Sequence, residues 1–251
     1  MGYPIRTFCI RNSPFSIHHS PALPEPTAGY TVVLMRIIAG KWRGRQIAAP
    51  EGDRTRPITD RAKTVLFDVL GHRLARPGVL PPLAVLDLFA GSGALGVEGL
   101  SRGARFSLFV EQHRPTAVLI RENLKLLSVA EDQGRVIVAD ATECRFPAPP
   151  GSPPAYSLVF FDPPYRLLSG PSPHPSLRPL IQRLAADPII ADNALIVVRH
   201  AQNPLGGPSL APLVEIERRD VGSMTFRFMG TGRQTPGGSA TASTTGDEED
   251  G

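Results

Sequence analysis

The chain has only two cysteines in 251 residues, Cys9 and Cys144, and that scarcity excludes a disulfide framework, since one bridge would leave nearly all of the chain unstapled. Neither cysteine stands in a C-x-x-C or similar spacing, which removes a structural zinc site and points to a reducing compartment. No apolar run approaches the roughly 20 residues that cross a bilayer, and the N-terminus holds no apolar stretch resembling a signal peptide. The expectation is a soluble, cytoplasmic protein without metal. At roughly 100 to 200 residues per domain it is one large domain, or one domain with an appendage.

Net charge is more informative once it is located. Residues 36–76 carry ten basic side chains (Arg36, Lys41, Arg43, Arg45, Arg54, Arg56, Arg61, Lys63, Arg73, Arg76) and four acids (Glu51, Asp53, Asp60, Asp68), a net of +6. Residues 77–230 hold fourteen of each sign and are neutral. A polyanion-binding module on a neutral catalytic body would look like this, and so would a solvated basic face.

Coherent patterning is expected only between about 35 and 230. Residues 1–34 mix His, Pro and Ser without a sustained period and precede a second Met, Met35, so they read as a disordered leader or a start-site artefact. Residues 231–251 are rich in Gly, Ser and Thr and end in Asp247, Glu248, Glu249 and Asp250, a disordered acidic tail. Residues 36–47, around Gly40 and Gly44, suit a small basic hairpin. From Thr59, a plausible N-cap, Ala62, Val65, Leu66, Val69 and Leu70 follow helical spacing, with Arg61 and Lys63 on the opposite face. A Pro-rich stretch at 77–82 separates this 35–76 module from the 77–230 body.

In that body the pattern becomes strand, turn and helix, repeated. Short apolar runs at 84–89, 106–110, 136–139, 158–161 and 194–198 predict parallel strands, with a helix from Pro115 to about Leu127. Segments 213–219 and 224–228 predict an antiparallel pair at the edge. The fold class is α/β, a seven-stranded, mostly parallel sheet with helices on both faces.

Four of these strands end in, or run directly into, an acid: Asp87, Glu111, Asp140 and Asp162. In open α/β sheets the ligand crevice lies outside the carboxyl ends of the strands, so the four are expected to converge; each could also cap a following helix. Gly91-Ser92-Gly93-Ala94-Leu95-Gly96 satisfies G-x-G-x-x-G, and Glu111 lies twenty residues beyond Gly91. By itself this is the dinucleotide fingerprint. It leaves Asp87 unexplained, because a carboxylate ahead of the loop repels a pyrophosphate and attracts a cation. No Lys-Ser or Lys-Thr follows the glycines, which excludes a Walker-type phosphate loop.

Asp162-Pro163-Pro164-Tyr165 directly follows four apolar residues. Two prolines fix an extended turn that offers a carboxylate, a main-chain carbonyl and an aromatic face. Those parts suit a planar base with an exocyclic amine: acceptors for its hydrogens and a ring to stack on. Acceptors held out of the base plane favour a pyramidal nitrogen and aim its lone pair at an electrophile.

Asp87-Leu88-Phe89-Ala90-Gly91-Ser92-Gly93 together with Asp162-Pro163-Pro164-Tyr165 resembles the class I, Rossmann-like S-adenosylmethionine-dependent methyltransferases that act on amino groups. The run from Met35 through Arg45, followed by Arg56-Pro57-Ile58-Thr59-Asp60-Arg61, resembles one branch, the RsmD family of small-subunit (16S) ribosomal RNA guanine-N2 methyltransferases. The resemblance implies that Asp87, Phe89, Ala90, Gly91, Ser92 and Gly93 bind the methionine part of S-adenosylmethionine, Glu111 the ribose hydroxyls, and Asp140 and Ala141 the adenine. It implies that Asp162, Pro163, Pro164 and Tyr165 hold the target guanine of ribosomal RNA, within the small subunit or an assembly intermediate. Arg36, Lys41, Arg43, Arg45, Arg56 and Arg61 would grip phosphates, and Trp42 would stack on a base or pack. The chain departs from the family pattern at Lys63-Thr64, Asp68, Val221 and Arg199, the last standing where Glu is typical. DNA adenine or cytosine amino methylation, a nicotinamide oxidoreductase and a non-catalytic RNA-binding protein remain as alternatives.

Overall fold

Strand β3 (Ala84–Leu88) is buried at all five positions, and β4 (Phe106–Glu111) at all six, as parallel strands covered on both faces should be. The computed structural model describes residues 32–51, 58–203 and 207–233. With β5 (Gly134–Val138), β6 (Tyr156–Phe161), β7 (Ile190–Ala201), β8 (Val214–Val221) and β9 (Met224–Gly230), these strands form one sheet in the order β5-β4-β3-β6-β7-β9-β8. The first five in that order run parallel. β9 is antiparallel to β7, and β8 to β9. The seven expected strands and their antiparallel edge are therefore present.

From β3 the chain winds outward through β4 to β5, then returns to lay β6 on the other side of β3. That reversal makes the β3/β6 boundary the topological switch point, where ligands of such sheets bind. On one face, α1 (Asp60–Leu74), α2 (Ala94–Ser101) and α3 (Arg114–Leu126) cover Val85, Phe109, Phe160 and Val197. On the other, α4 (Arg178–Ala186) covers Leu86, Val110, Phe161 and Val198. α3 opens one residue before Pro115 and buries Ala117, Ile120 and Leu124, with Leu127 buried just past its end, as its periodicity predicts. α1 is capped by Thr59, whose hydroxyl accepts the Ala62 N–H at 3.2 Å.

The basic module departs from expectation in three ways. Its hairpin, β1 (Val32–Arg36) paired with β2 (Gln46–Pro50), begins three residues before Met35. Val32, Val33 and Leu34 are strand formers that the polar leader masks. The 36–47 stretch is then mostly the connection between the strands, because Gly40 and Gly44 take the left-handed φ values of +81° and +83° that a turn needs. Lys63, placed on the outer face of α1, is 1% exposed, and its Nζ donates to the carbonyl of Arg36.

Nor is the module a separate globule. Ile37, Trp42, Ile47, Leu66, Phe67 and Leu70 share one core with the sheet, and each fully buried side chain of that size contributes roughly 1.5–3 kcal/mol. Trp42 is 9% exposed, so it packs. Residues 1–31 and 234–251, most of the expected leader and tail, lie outside the described residues, as does Arg56. No helix among the described residues is long and apolar enough to cross a membrane.

Candidate active site

The turn from β3 into α2 is held in an unusual backbone path. Phe89, Gly91 and Gly93 have φ values of +59°, +55° and +76°, and for Phe89 this left-handed conformation is strained. The Ala90 N–H donates to the Val110 carbonyl at 3.0 Å and the Gly93 N–H to the Ala90 carbonyl at 2.8 Å. A side chain at Gly91 would meet no atom closer than 3.9 Å, so the main chain there is approachable from outside. The Phe89 ring lies 5.9 Å from that of Phe161.

Strand register brings the predicted acids to one face. Asp87 pairs with Phe109 on β4 and with Phe160 on β6. Glu111 and Asp162 each lie two residues beyond those partners, and side chains two apart in a strand share a face. Val138 pairs with Glu111, and Asp140 follows two residues later. Asp87 is 2% exposed and Glu111 9%; Asp140 is exposed at the rim.

Each acid also has a partner within the protein. Asp87 Oδ2 accepts the Gly96 N–H at 2.9 Å, capping the first turn of α2. Glu111 accepts the N–H groups of Gly91 and His113, both at 2.8 Å, one on each oxygen. Asp140 Oδ1 accepts from the N–H and hydroxyl of Thr142 at 2.8 and 2.7 Å. Asp87 thus fills the capping role, while Glu111 and Asp162 act on it from the same face. A carboxylate has about four acceptor positions, so these bonds fix the acids without exhausting them.

Burial drives the Asp87 carboxyl well above the usual carboxylate range. The Gly96 N–H pulls it back, the neighbouring Asp162 and Glu111 push it further up, and Arg199 opposes them. Of the charged side chains acting on Asp87, two are carboxylates and one, Arg199, is a cation. The Asp162-Pro163-Pro164-Tyr165 turn leaves β6 with Pro164 extended (φ −48°, ψ 131°), and Tyr165 opens a single 3-10 turn to Leu167. Tyr165 is half-buried, and Pro163 buried. Ala141 is 3% exposed, and its carbonyl accepts from Arg183 of α4 at 2.9 Å.

A family model described as Conserved hypothetical protein 95 matches residues 35–230. Ribosomal RNA small subunit methyltransferase D of Escherichia coli is 36% identical over 195 residues, 77% of this chain and 88% of that protein. The chain belongs to the ribosomal RNA small subunit methyltransferase D family. Among solved structures, the Escherichia coli protein yhhF is similar with a TM-score of 0.61 at 30% identity, covering 79% of this chain and 98% of that one. The T. thermophilus 16S rRNA N2 G1207 methyltransferase RsmC, solved with AdoMet and guanosine, has a TM-score of 0.58 at 18% identity, covering 82% of this chain and 52% of that one. At that identity the fold is what the two share.

Within this member of the methyltransferase D family, two features of the site escaped sequence reasoning. Arg199 of β7 pairs with Asp162; the sequence shows only a charged residue directly after the apolar run 194–198, which does not name its partner. The hairpin also reaches the glycine loop, where the Ser92 hydroxyl donates to Met35 Sδ at 3.4 Å. A cleft of ≈ 350 Å³ opens beside this contact, lined by Val33, Leu34, Met35, Arg36, Gln46, Ile58, Thr59 and Asp60. It lies on the basic module and includes none of the strand-end acids.

The expected phosphate contacts divide. Arg36, Lys41, Arg43 and Arg61 are exposed, Arg36 in a surface pair with Asp60 at 2.9 Å and Lys41 with its Nζ 4.2 Å from the Trp42 ring centroid. Arg45 is half-buried and donates to the Leu126 carbonyl at 2.7 Å, at the end of α3.

Proposed function

We propose that this protein transfers a methyl group from S-adenosylmethionine to the exocyclic N2 amine of a guanine in small-subunit ribosomal RNA. The observation that carries this reading is the gathering of Asp87, Glu111 and Asp162 on one face at the β3/β6 switch point, beside Tyr165, in a chain of this family. A floor of buried carboxylates with the Asp87 pKa raised suits a positively charged ligand and disfavours the pyrophosphate of a nicotinamide dinucleotide. S-adenosylmethionine supplies a methyl already activated on a cationic sulfur, so the protein's share is binding and positioning.

In this reading Asp87 and the turn through Phe89, Ala90, Gly91, Ser92 and Gly93 hold the methionine part. Glu111, its two oxygens each fixed by one main-chain N–H, accepts the ribose hydroxyls with what remains. Asp140 and Ala141 border the adenine. Asp162 and the Pro163 carbonyl accept the amine hydrogens, and the Tyr165 ring supports the base. Holding both reactants near attack geometry contributes up to about 7–11 kcal/mol toward the barrier. A base stacked and paired in a duplex has its amine engaged, so in this reading the guanine is extruded from its stack. The exposed cations of the hairpin and α1 hold the surrounding phosphates in the cytoplasm, where small subunits assemble.

Incubation of the protein with methyl-labelled S-adenosylmethionine and small ribosomal subunits lacking the modification should label one guanine at N2. Label in DNA or protein, or none in RNA, overturns the proposal. Calorimetry should register S-adenosylmethionine and not NADH.

A further inference from the structure

The register that pairs Phe161 with Val198 makes the next residue of each parallel strand, Asp162 and Arg199, neighbours at the carboxyl edge of the sheet. The Arg199 guanidinium meets the Asp162 carboxylate at two points, Nε to Oδ1 at 2.8 Å and Nη2 to Oδ2 at 2.6 Å. The Arg199 side chain is 6% exposed and that of Asp162 14%, and the Arg199 Cζ lies 5.9 Å from the Tyr165 ring centroid. Burial works against the arginine's charge, but the paired carboxylate outweighs it and the guanidinium stays protonated.

A buried ion pair is often no more stabilising than an apolar pair of the same size, so this one calls for a reason other than folding. Two-point contact fixes the plane of a carboxylate as well as its charge. A single-point ammonium would leave Asp162 free to rotate about its side-chain bonds.

We infer that Arg199 is a positioning residue for methyl transfer in this chain: it locks the Asp162 carboxylate in one orientation so that the acceptor positions left on its oxygens face the target amine. The inference rests on the reading above in which Asp162 holds that amine. Arg199 acts through Asp162 and touches neither reactant. Its reach to Tyr165 lets the same guanidinium set the acceptor and brace the ring on which the base lies.

The full chain and its Arg199→Lys, Arg199→Gln, Asp162→Asn and Asp162→Asn/Arg199→Gln forms are compared on small subunits lacking the modification, with kcat, KM for the subunit and the Kd for S-adenosylmethionine read separately. Misaligning the acceptor lowers kcat about 100-fold in Arg199→Gln and about 10-fold in Arg199→Lys, which keeps the charge but not the fork. KM for the subunit stays within about 2-fold, the split expected of an interaction made in the transition state, while the Kd for S-adenosylmethionine separates any loss that runs through Asp87, whose charge Arg199 favours. On the Asp162→Asn background, Arg199→Gln costs nothing further, because the group it orients is already gone. Arg199→Lys at wild-type kcat, or an undiminished Arg199→Gln loss on the Asp162→Asn background, overturns the positioning role alone. Because Arg199→Lys retains the buried charge, it tests the role even where Arg199→Gln does not fold. A wild-type protein that moves no methyl to RNA overturns the reading of Asp162 as well.

Discussion

Gly96 of α2 lies against Phe109 of β4 so closely that a Cβ on the glycine would stand 2.3 Å from the ring's Cε1 and 2.7 Å from Ser107 Oγ. Phe109 is fully buried and cannot retreat. The third glycine of the G-x-G-x-x-G run is thus a packing residue, and its N–H is the donor that Asp87 caps. Gly96→Ala must push helix from sheet. It should lower stability by about 1–3 kcal/mol in urea denaturation and weaken S-adenosylmethionine binding, since the Asp87 bond moves with it. Gly99, one turn on, is the control. Its Cβ would meet Val85 Cγ2 at an ordinary 3.5 Å, so Gly99→Ala should be neutral or stabilising by up to about 1 kcal/mol. Equal losses in both variants would refute the distinction.

If Asp87 holds S-adenosylmethionine as proposed, it links cofactor affinity to pH. Burial, Asp162 and Glu111 hold its pKa above the usual carboxylate range, against the Gly96 N–H and Arg199. Only the ionised form attracts a positive sulfur. Affinity for S-adenosylmethionine should therefore climb as pH rises through that raised pKa, then level off, and binding below it should release a proton. S-adenosylhomocysteine, without the sulfonium, should show a weaker dependence. A raised carboxyl pKa also means that the folded state favours the proton, so the cost of Asp87 to folding grows as pH rises from the unfolded to the folded value. Asp87→Asn should accordingly melt higher at neutral pH while binding S-adenosylmethionine weakly and without the pH slope. Calorimetry in two buffers of different ionisation heat reads the proton; the same slope in Asp87→Asn would remove Asp87 as its source.

How much of this was legible in the sequence follows from what each feature depends on. Strands buried on both faces leave unbroken apolar runs, so β3, β4 and β6 were visible, and their terminal acids came with them. The face of α1 was read less than a quarter of a turn off, with Ala62, Leu66 and Leu70 buried as expected and Val65 and Val69 at the edge. Ala62, Lys63, Leu66, Phe67 and Leu70 form the buried stripe, but a lysine within a stripe reads as its edge. Only the neighbouring carbonyl of Arg36, with Asp60 and Glu98 nearby, makes Lys63 tolerable inside. The Asp162 and Arg199 pair joins residues 37 apart, and nothing short of the β6/β7 register reveals it. Likewise, Glu98 looks like an ordinary helical acid until the hairpin is laid across it.

Glu98 is a buried link between the basic module and the body. Its Oε2 and Oε1 accept the N–H groups of Ile38 and Ala39, both at 3.0 Å, and Oε1 also accepts from Arg102 Nε at 2.8 Å. Both charged side chains are at most 2% exposed. Removing one partner strands the other, which for buried pairs costs about 3–5 kcal/mol. Glu98→Ala should lose stability on that scale, and hydrogen exchange at Ile38 and Ala39 should accelerate more than at β3 amides. Uniform acceleration would mean that the module and sheet open together and that Glu98 does not hold them separately.

The basic residues make a last contrast, because four of them are exposed and Arg45 is turned into the protein. Arg43 and Arg61 are exposed on the hairpin connection and on α1. If they neutralise phosphates, each Arg→Ala substitution should weaken small-subunit RNA binding and reduce the slope of log K against log salt by about 1. Neither should change the melting temperature by much, as surface cations rarely contribute more than about 1 kcal/mol. Arg45 should behave in the opposite way. Its guanidinium satisfies the Leu126 carbonyl at the end of α3, where a cation also complements the helix dipole. Arg45→Ala should lower the melting temperature and leave the salt slope nearly unchanged. Filter binding across a potassium chloride series, beside thermal melts, separates the two classes. A slope that falls for Arg45→Ala and holds for Arg43→Ala and Arg61→Ala would move the RNA path off the exposed face of the hairpin and toward α3.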